Sequence, residues 1–136
     1  MIIPVTCAII LFEGKVLATQ RSESMNLPGL WEFPGGKVES GESPEDCLHR
    51  EIKEELNIKI DLWDRWDFSE HSYQPGKTIQ LIPFLASYKA GELILSEHAA
   101  FRWLGLSELF EVNWAQADIP IVQELSRKWE SIQKNY

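Results

Sequence analysis

The segment from residue 35 to residue 58, GGKVESGESPEDCLHREIKEELNI, constrains the fold more than any other stretch of the chain. Ser43 is a favourable N-cap, and Pro44 suits the first turn of a helix. Three apolar side chains then recur at a spacing of four: Leu48, Ile52 and Leu56. A stripe with this period packs one helix face against a core. We therefore predict a helix from Ser43 to Asn57, since asparagine tolerates the left-handed conformation that ends helices.

The same predicted helix carries acidic side chains along the edge of its apolar face: Glu51, Glu54 and Glu55. Like charges at this spacing repel one another by a few tenths of a kcal/mol per pair. Lys53 points elsewhere on the helical wheel, whereas Arg50 lies beside Glu54. The backbone of the preceding Gly35-Gly36-Lys37 can approach a ligand closely, because two of its residues lack side chains. This pattern favours a site for a hard divalent cation such as Mg²⁺ over a solvated acidic face.

The rest of the chain predicts strands and one more helix. We expect strands at residues 5–12, 16–21, 31–33, 58–68, 78–88 and 100–104, and a loop at 22–30. Pro34-Gly35-Gly36 is expected to halt the third strand. A last helix is predicted to start near Asp118-Ile119-Pro120 with an apolar face formed by Val122, Leu125, Trp129 and Ile132. This mixture predicts one α/β domain over residues 1–136, with helices packed on a sheet.

Composition excludes several classes of protein. The net charge of −8 disfavours binding along a nucleic acid polymer, although a phosphorylated ligand that brings divalent cations remains compatible. The opening MIIPVTCAIILF is too short to span a membrane and lacks the features of a signal peptide. We therefore expect a cytoplasmic protein without a membrane partner, whose two cysteines, Cys7 and Cys47, are reduced core thiols.

From Gly36 onward the pattern of residues resembles the Nudix box, G-x5-E-x7-R-E-U-x-E-E-x-G-U, where U is apolar. The matching residues are Gly36, Glu42, Arg50, Glu51, Ile52, Glu54, Glu55 and Ile58. Asn57 stands where the family has glycine, and asparagine also visits the left-handed conformation. WEFPGGK before the box and AQADIPIV near the C-terminus are similar to MutT-type and CTP pyrophosphohydrolase-type members of the family.

The resemblance implies the Nudix fold, an α/β/α sandwich around a mixed sheet. It implies hydrolysis of nucleoside triphosphates to a monophosphate and pyrophosphate, with Mg²⁺ or alternatively Mn²⁺ as cofactor. Such enzymes cleanse the nucleotide pool, and substrates of the CTP, dCTP or 8-oxo-dGTP type are expected. The oligomeric state is expected to be a monomer or a homodimer.

The resemblance also implies roles for individual residues. The metal ligands implied are the Gly36 carbonyl and the side chains of Glu51, Glu54, Glu55 and Glu97. Glu97 lies six residues before Trp103, the family's offset for a ligand or base. The residues implied in catalysis are Glu51, Glu54 and Glu97, with Glu51 favoured as the base. Glu42 and Arg50 are interpreted as residues that orient the ligands.

Five residues are expected to bind substrate: Arg21, Phe33, Lys37, Tyr73 and Asp118. Arg21 and Lys37 are candidates for the phosphates, and Phe33 and Tyr73 for stacking on the base, although Phe33 is equally expected in the core. Asp118 corresponds to a base-reading position of the family and otherwise serves as the N-cap of the last helix. An ionised Asp118 accepts hydrogen bonds only, which suits amino groups of the base.

Two alternatives remain open at the level of sequence. The chain is either an enzyme or a non-catalytic module that binds nucleotides through the same fold. Within the family, an ADP-ribose, dinucleoside polyphosphate or RNA-cap hydrolase is a further alternative, because fold does not fix substrate. His98, next to Glu97, is expected to be exposed to solvent.

Overall fold

The computed structural model describes residues 1–136 and is built around a mixed sheet of eight strands. The strands are β1 (Ile2–Phe12), β2 (Lys15–Gln20), β3 (Trp31–Glu32), β4 (Gly35–Lys37), β5 (Lys59–Arg65), β6 (Ser69–Gln74), β7 (Lys77–Ala90) and β8 (Ala100–Leu104). Helix α1 (Pro44–Leu56) connects β4 to β5, and helix α2 (Ile119–Asn135) ends the chain. Short 3-10 turns occupy Leu106–Glu108 and Gln116–Asp118.

The centre of the sheet is the parallel pair β1 and β7, which stays in register from Ile2 opposite Thr78 to Leu11 opposite Ser87. The remaining pairings are antiparallel: β2 and β4 with β1, β5 and β6 with β7, and β3 and β8 with β2. The sheet is therefore mixed, as the family resemblance implied.

The two helices cover opposite faces of this sheet. Cys7, Ile9 and Leu11 of β1 belong to the core under α2, whereas Ala8 and Ile10 belong to the core under α1. The helical side chains in these cores are Val122, Leu125, Trp129 and Ile132 from α2, and Leu48, Ile52 and Leu56 from α1. Both faces of β1 are buried, which explains its continuous apolar run. The predicted α/β/α sandwich is confirmed.

The predicted bounds of α1 are also confirmed. Ser43 Oγ accepts a hydrogen bond from the Asp46 amide at 3.1 Å. At the other end, Asn57 adopts φ 60° and ψ 28°, and its N–H donates to the Lys53 carbonyl. Asparagine thus fills the left-handed position for which the box has glycine.

Two predictions about strands are wrong. Gly35–Lys37 does not merely halt the preceding strand, because it forms β4 and pairs with Val5–Cys7. The predicted strand at residues 58–68 ends at Arg65, and β6 was not predicted. The sequence of β6, SEHSYQ, is polar and mostly exposed, so it lacks the apolar alternation that indicates a strand.

Both cysteines are free and buried, as expected. Neither helix of the structure combines the length and the apolar character that crossing a membrane requires.

The left-handed cap of α1 yields a prediction for stability. We expect Asn57→Ala to lower the free energy of unfolding by about 1–2 kcal/mol, because alanine is strained at positive φ. The substitution also removes the hydrogen bond from Asn57 Nδ2 to the Glu92 carbonyl. Urea denaturation measures the change. The exposed Asn113 serves as the control, and an equal loss in Asn113→Ala would contradict this account of the cap.

Candidate active site

Arg50 organises the acidic side chains along one edge of α1, which is formed by Glu51, Glu54 and Glu55 and is called the acidic edge of α1. Its Nε and Nη2 atoms donate to the two oxygens of Glu42 at 2.7 and 2.9 Å, a bidentate pair. Its Nη1 atom donates to Glu51 Oε1 at 2.8 Å and to Glu54 Oε2 at 3.4 Å. Hydrogen bonding to Arg50 lowers the pKa of Glu42 to about 2. The loop before α1 is thereby tied to the carboxylates of the helix.

Gly36 lies directly against the carboxylate of Glu51. A Cβ atom added to Gly36 would stand 2.3 Å from Glu51 Cδ, so no other residue fits without displacing that side chain. The carbonyl of Gly36 accepts a hydrogen bond from Thr6 Oγ1 at 3.2 Å. The glycine of the box therefore allows the backbone of β4 to approach the acidic edge of α1 closely.

Glu55 is the most strongly perturbed of the carboxyls at this edge. Its Oε1 atom accepts a hydrogen bond from the Gly35 amide at 3.2 Å. Burial, followed by the charges of Glu32 and Glu51, raises the pKa of Glu55 to about 8. Burial also raises the pKa of Glu51. The site thus holds carboxyl groups whose ionised forms are poorly solvated and repel one another.

The donors at this edge suit a divalent cation. In the structure, no three side chains of Asp, Glu, His or Cys converge on a point where they would hold a metal ion. Arg50 instead binds oxygens of Glu51 and Glu54. The groups present are carboxylate and carbonyl oxygens, which hard cations prefer. A cation would also stabilise the ionised form of Glu55, whose pKa is raised by burial and then by the charges of Glu32 and Glu51. The predicted ligands Gly36, Glu51, Glu54 and Glu55 therefore fit such an ion.

Glu97 lies in the segment between β7 and β8, and its side chain is exposed. The amide of Ser96 donates to the Glu55 carbonyl at 3.0 Å, which holds this segment at the end of α1. The charge of Glu97 contributes to the raised pKa of Glu55. The structure therefore brings Glu97 to the same edge as the other predicted ligands.

The prediction that His98 is exposed is wrong. Its side chain is fully buried, and its Nε2 atom lies 2.8 Å from Glu32 Oε2. The surrounding sequence, SEHAAF, has no apolar period that would indicate burial. Glu32 is a second residue that sequence reasoning missed. The sequence signal that could have identified Glu32 is its charge between the two aromatic residues of WEF.

A cavity of about 450 Å³ opens beside the acidic edge. Its polar wall includes Arg21, Glu32, Tyr73 and Asp118, with Asn26, Gln74 and Lys77, and its apolar wall includes Val5, Ile79 and Leu81. A smaller cavity of about 260 Å³ reaches Gly36, Glu51 and Glu55. Both cavities share the walls formed by Arg21, Glu32 and Asp118. A space in the size range of ligand sites therefore adjoins the carboxylates of α1.

The alternative interpretation of Asp118, as a side-chain cap of α2, is not supported, because Asp118 stands directly before α2 but its side chain makes no capping hydrogen bond. Residues 116–118 form a 3-10 turn that runs into α2, so Asp118 already has helical backbone angles. Its Oδ2 atom instead accepts a hydrogen bond from the Phe33 amide at 2.9 Å. Burial and the charge of Glu32 raise the pKa of Asp118.

The other predicted substrate residues differ in their access to the cavities. Tyr73 lines the larger cavity, and its hydroxyl accepts a hydrogen bond from the Ala117 amide. Arg21 lines both cavities and pairs with Glu32 at 2.8 Å. Phe33 is 3% exposed and packs against Trp114, so the structure favours its core interpretation over base stacking. Lys37 is exposed on β4 and lies in the wall of neither cavity.

Comparison with known proteins agrees with this fold and site. The NUDIX domain pattern matches residues 2–125. The chain is 37% identical over 121 residues to a CTP pyrophosphohydrolase of Escherichia coli K12, covering 89% of each chain. It is 33% identical over 128 residues to an 8-oxo-dGTP diphosphatase of Haemophilus influenzae, covering 91% of each.

Solved structures agree as well. A MutT family protein of Staphylococcus aureus is 41% identical with a TM-score of 0.76, covering 94% of this chain and 98% of that one. A MutT protein of Methanosarcina mazei is 27% identical with a TM-score of 0.83, covering 93% and 94%. The chain therefore belongs to the Nudix hydrolase family, whose members generally use divalent metal ions.

The raised pKa of Glu55 yields a prediction for pH. In the absence of divalent cations, the folded state holds this proton up to about pH 8, whereas an unfolded glutamate loses it near 4.5. The free energy of unfolding should therefore decrease as pH rises from about 5 to 8, with a slope of at most about 1.4 kcal/mol per pH unit from this group.

Urea denaturation in EDTA at pH 5, 6.5 and 8 measures that slope. Glu55→Gln removes the titrating group and should flatten the decrease, whereas Glu45→Gln, at an exposed position of α1, should not. An unchanged slope in Glu55→Gln would show that the carboxyl of Glu55 is not the perturbed group.

Proposed function

We propose that this chain is a Mg²⁺-dependent pyrophosphohydrolase that converts nucleoside triphosphates to a monophosphate and pyrophosphate. The observation that carries the proposal is the shared wall of Arg21, Glu32 and Asp118, which joins the larger cavity to the acidic edge of α1. Relatives named CTP pyrophosphohydrolase and 8-oxo-dGTP diphosphatase support nucleotides of these types as substrates. Free nucleotides rather than a nucleic acid polymer fit a net charge of −8.

The acidic edge of α1 supplies the catalytic end of the proposed site. Glu51, Glu54, Glu55 and the Gly36 carbonyl would hold Mg²⁺ or Mn²⁺, with Glu97 as a further ligand or base. When bound, such cations polarise phosphoryl oxygens and lower the pKa of a coordinated water. Glu51 is our preferred base, because it lies against the Gly36 backbone and burial raises its pKa. Arg50 and Glu42 orient the ligands through the hydrogen bonds described above.

The larger cavity supplies the end that recognises the base. Tyr73 offers a ring for stacking, and Arg21 offers guanidinium hydrogen bonds to phosphate. Asp118 lines both cavities, so its carboxyl can meet the edge of a base. An ionised carboxyl only accepts hydrogen bonds, whereas the amide of asparagine also donates them. An acceptor at this position suits amino donors such as N4 of cytosine or the N1–H and N2 amino edge of guanine.

Pyrophosphate release tests the reaction. We expect wild-type protein with Mg²⁺ to release pyrophosphate from a panel that includes CTP, dCTP and 8-oxo-dGTP. Glu54→Gln should lower kcat at least about a hundredfold, or about 2.7 kcal/mol in activation free energy, because it removes a metal-binding oxygen. Glu45→Gln, outside the acidic edge, is the matched control. Tight nucleotide binding without turnover in wild-type protein would instead indicate a binding module.

Base recognition has its own test. We expect Asp118→Asn to change the ratio of kcat/KM for CTP over 8-oxo-dGTP by about tenfold or more, because asparagine cannot ionise and always presents a donor. Steady-state kinetics at fixed Mg²⁺ measures the ratio. Asp67→Asn, an exposed position away from the cavity, should leave it unchanged. An unchanged ratio in Asp118→Asn would assign this residue only its structural hydrogen bond to Phe33.

A further inference from the structure

His98 is a buried imidazole with one nitrogen left without a partner. Its side chain is fully buried, and Nε2 lies 2.8 Å from Glu32 Oε2, the separation of a hydrogen bond in which the ring N–H donates to the carboxylate. The other nitrogen, Nδ1, makes no hydrogen bond. It lies 3.9 Å from Glu55 Oε2. A buried polar atom without a partner is costly, so its position beside a carboxyl of the proposed site requires a reason.

Glu32, the partner of His98, is itself held from two sides. Its Oε1 atom accepts a hydrogen bond from Arg21 at 2.8 Å, while Oε2 faces His98. Glu32 lines both cavities, and its charge contributes to the raised pKa of Glu55. A row of side chains therefore runs from the larger cavity to the acidic edge of α1: Arg21, Glu32, His98 and Glu55.

The backbone around His98 carries Glu97 to this edge. The amide of Ser96 donates to the Glu55 carbonyl at 3.0 Å, and the amide of Ala99 donates to the Gln20 carbonyl at 2.9 Å. These bonds fix the segment at both ends, between the end of α1 and the end of β2. The imidazole fixes its middle, where the exposed carboxylate of Glu97 is attached.

We propose that His98 is a positioning residue that holds Glu97 beside Glu55 in the arrangement a divalent cation needs. The hydrogen bond to Glu32 fixes the ring, and the fixed ring anchors the backbone that bears Glu97 at the end of α1. Hydrogen-bonding partners behind metal ligands typically change metal affinity or activity by about 10- to 100-fold when they are removed. This inference rests on the proposed function for its kinetic part, but its metal-binding part does not require turnover.

The test compares four variants: His98→Leu, His98→Asn, His98→Gln and His49→Leu. Leucine removes the donor to Glu32, and asparagine is too short to reach it. Glutamine extends far enough to supply a replacement N–H. His49 is an exposed histidine on α1 and is the matched control. Mn²⁺ binding without nucleotide is measured by electron paramagnetic resonance of the free ion, folding by circular dichroism, and kcat and KM by pyrophosphate release.

We expect His98→Leu and His98→Asn to weaken Mn²⁺ binding at least about tenfold and to lower kcat similarly. KM for the nucleotide should stay within about threefold, since His98 does not line the larger cavity and Arg21 still holds Glu32 in its wall. His98→Gln should recover Mn²⁺ affinity to within about threefold of wild type, and His49→Leu should match wild type.

Wild-type Mn²⁺ affinity in folded His98→Leu or His98→Asn would overturn the proposal. Failure of glutamine to recover affinity, or loss of folding in all three His98 variants, would also overturn it by making the imidazole a structural residue. If the wild-type protein binds Mn²⁺ but hydrolyses no nucleoside triphosphate, the proposed function fails. The Mn²⁺ measurements then still decide the role of His98.

Discussion

The packing of α1 against one face of the sheet fixes the site. Leu48, Ile52 and Leu56 are fully buried against the strands, so the helix cannot rotate about its axis without exposing them. That fixed orientation turns the neighbouring edge of the helix, with Glu51 and Glu55, toward the backbone of β4. Full burial contributes about 1.5–3 kcal/mol for each leucine or isoleucine side chain, which exceeds the few tenths of a kcal/mol of repulsion per pair of glutamates. The hydrophobic stripe therefore places acidic groups where they would not gather on their own.

The negative charges at the acidic edge of α1 are only partly neutralised by the protein's own side chains. Arg50 is the cation that contacts these carboxylates, and it contacts Glu42, Glu51 and Glu54 but not Glu55. Glu55 instead is buried and faces Glu32 and Glu51, and burial followed by these charges raises its pKa. Perturbed carboxyls in a cleft are typical of functional sites, because a ligand can supply the missing charge. A divalent cation is the ligand whose charge and chemistry fit this edge.

The sequence predicted the parts of the fold that depend on local, periodic signals. Helix α1 with its two caps and strand β8 follow from apolar spacing and from capping residues. Strand β6 escaped prediction because it is held by pairing with β7 rather than by apolar side chains. Strand β4 escaped because glycine normally weakens strands, although here the lack of side chains permits the approach to Glu51.

The candidate site shows the same difference between residues that local spacing predicts and residues that depend on contacts distant in sequence. The glutamates of α1 could be named because their spacing is local, and the structure brings Glu97 to them from a distant segment. The burial of His98 and the hydrogen bond of Asp118 to Phe33 depend on contacts between segments 66 and 85 residues apart. No local pattern reports such contacts, so the sequence assigned His98 to solvent and offered Asp118 a helix cap only as the alternative to reading the base.

The central claim is that the acidic edge of α1 holds divalent cations against a nucleotide. A crystal grown with Mn²⁺ and a non-hydrolysable nucleoside triphosphate analogue tests this claim most directly, through the anomalous scattering of manganese. The account predicts anomalous peaks at coordination distance, about 2.0–2.4 Å, from oxygens of Glu51, Glu54 or Glu55, with the base of the analogue in the larger cavity. An analogue bound in that cavity with no manganese peak near these side chains would contradict it.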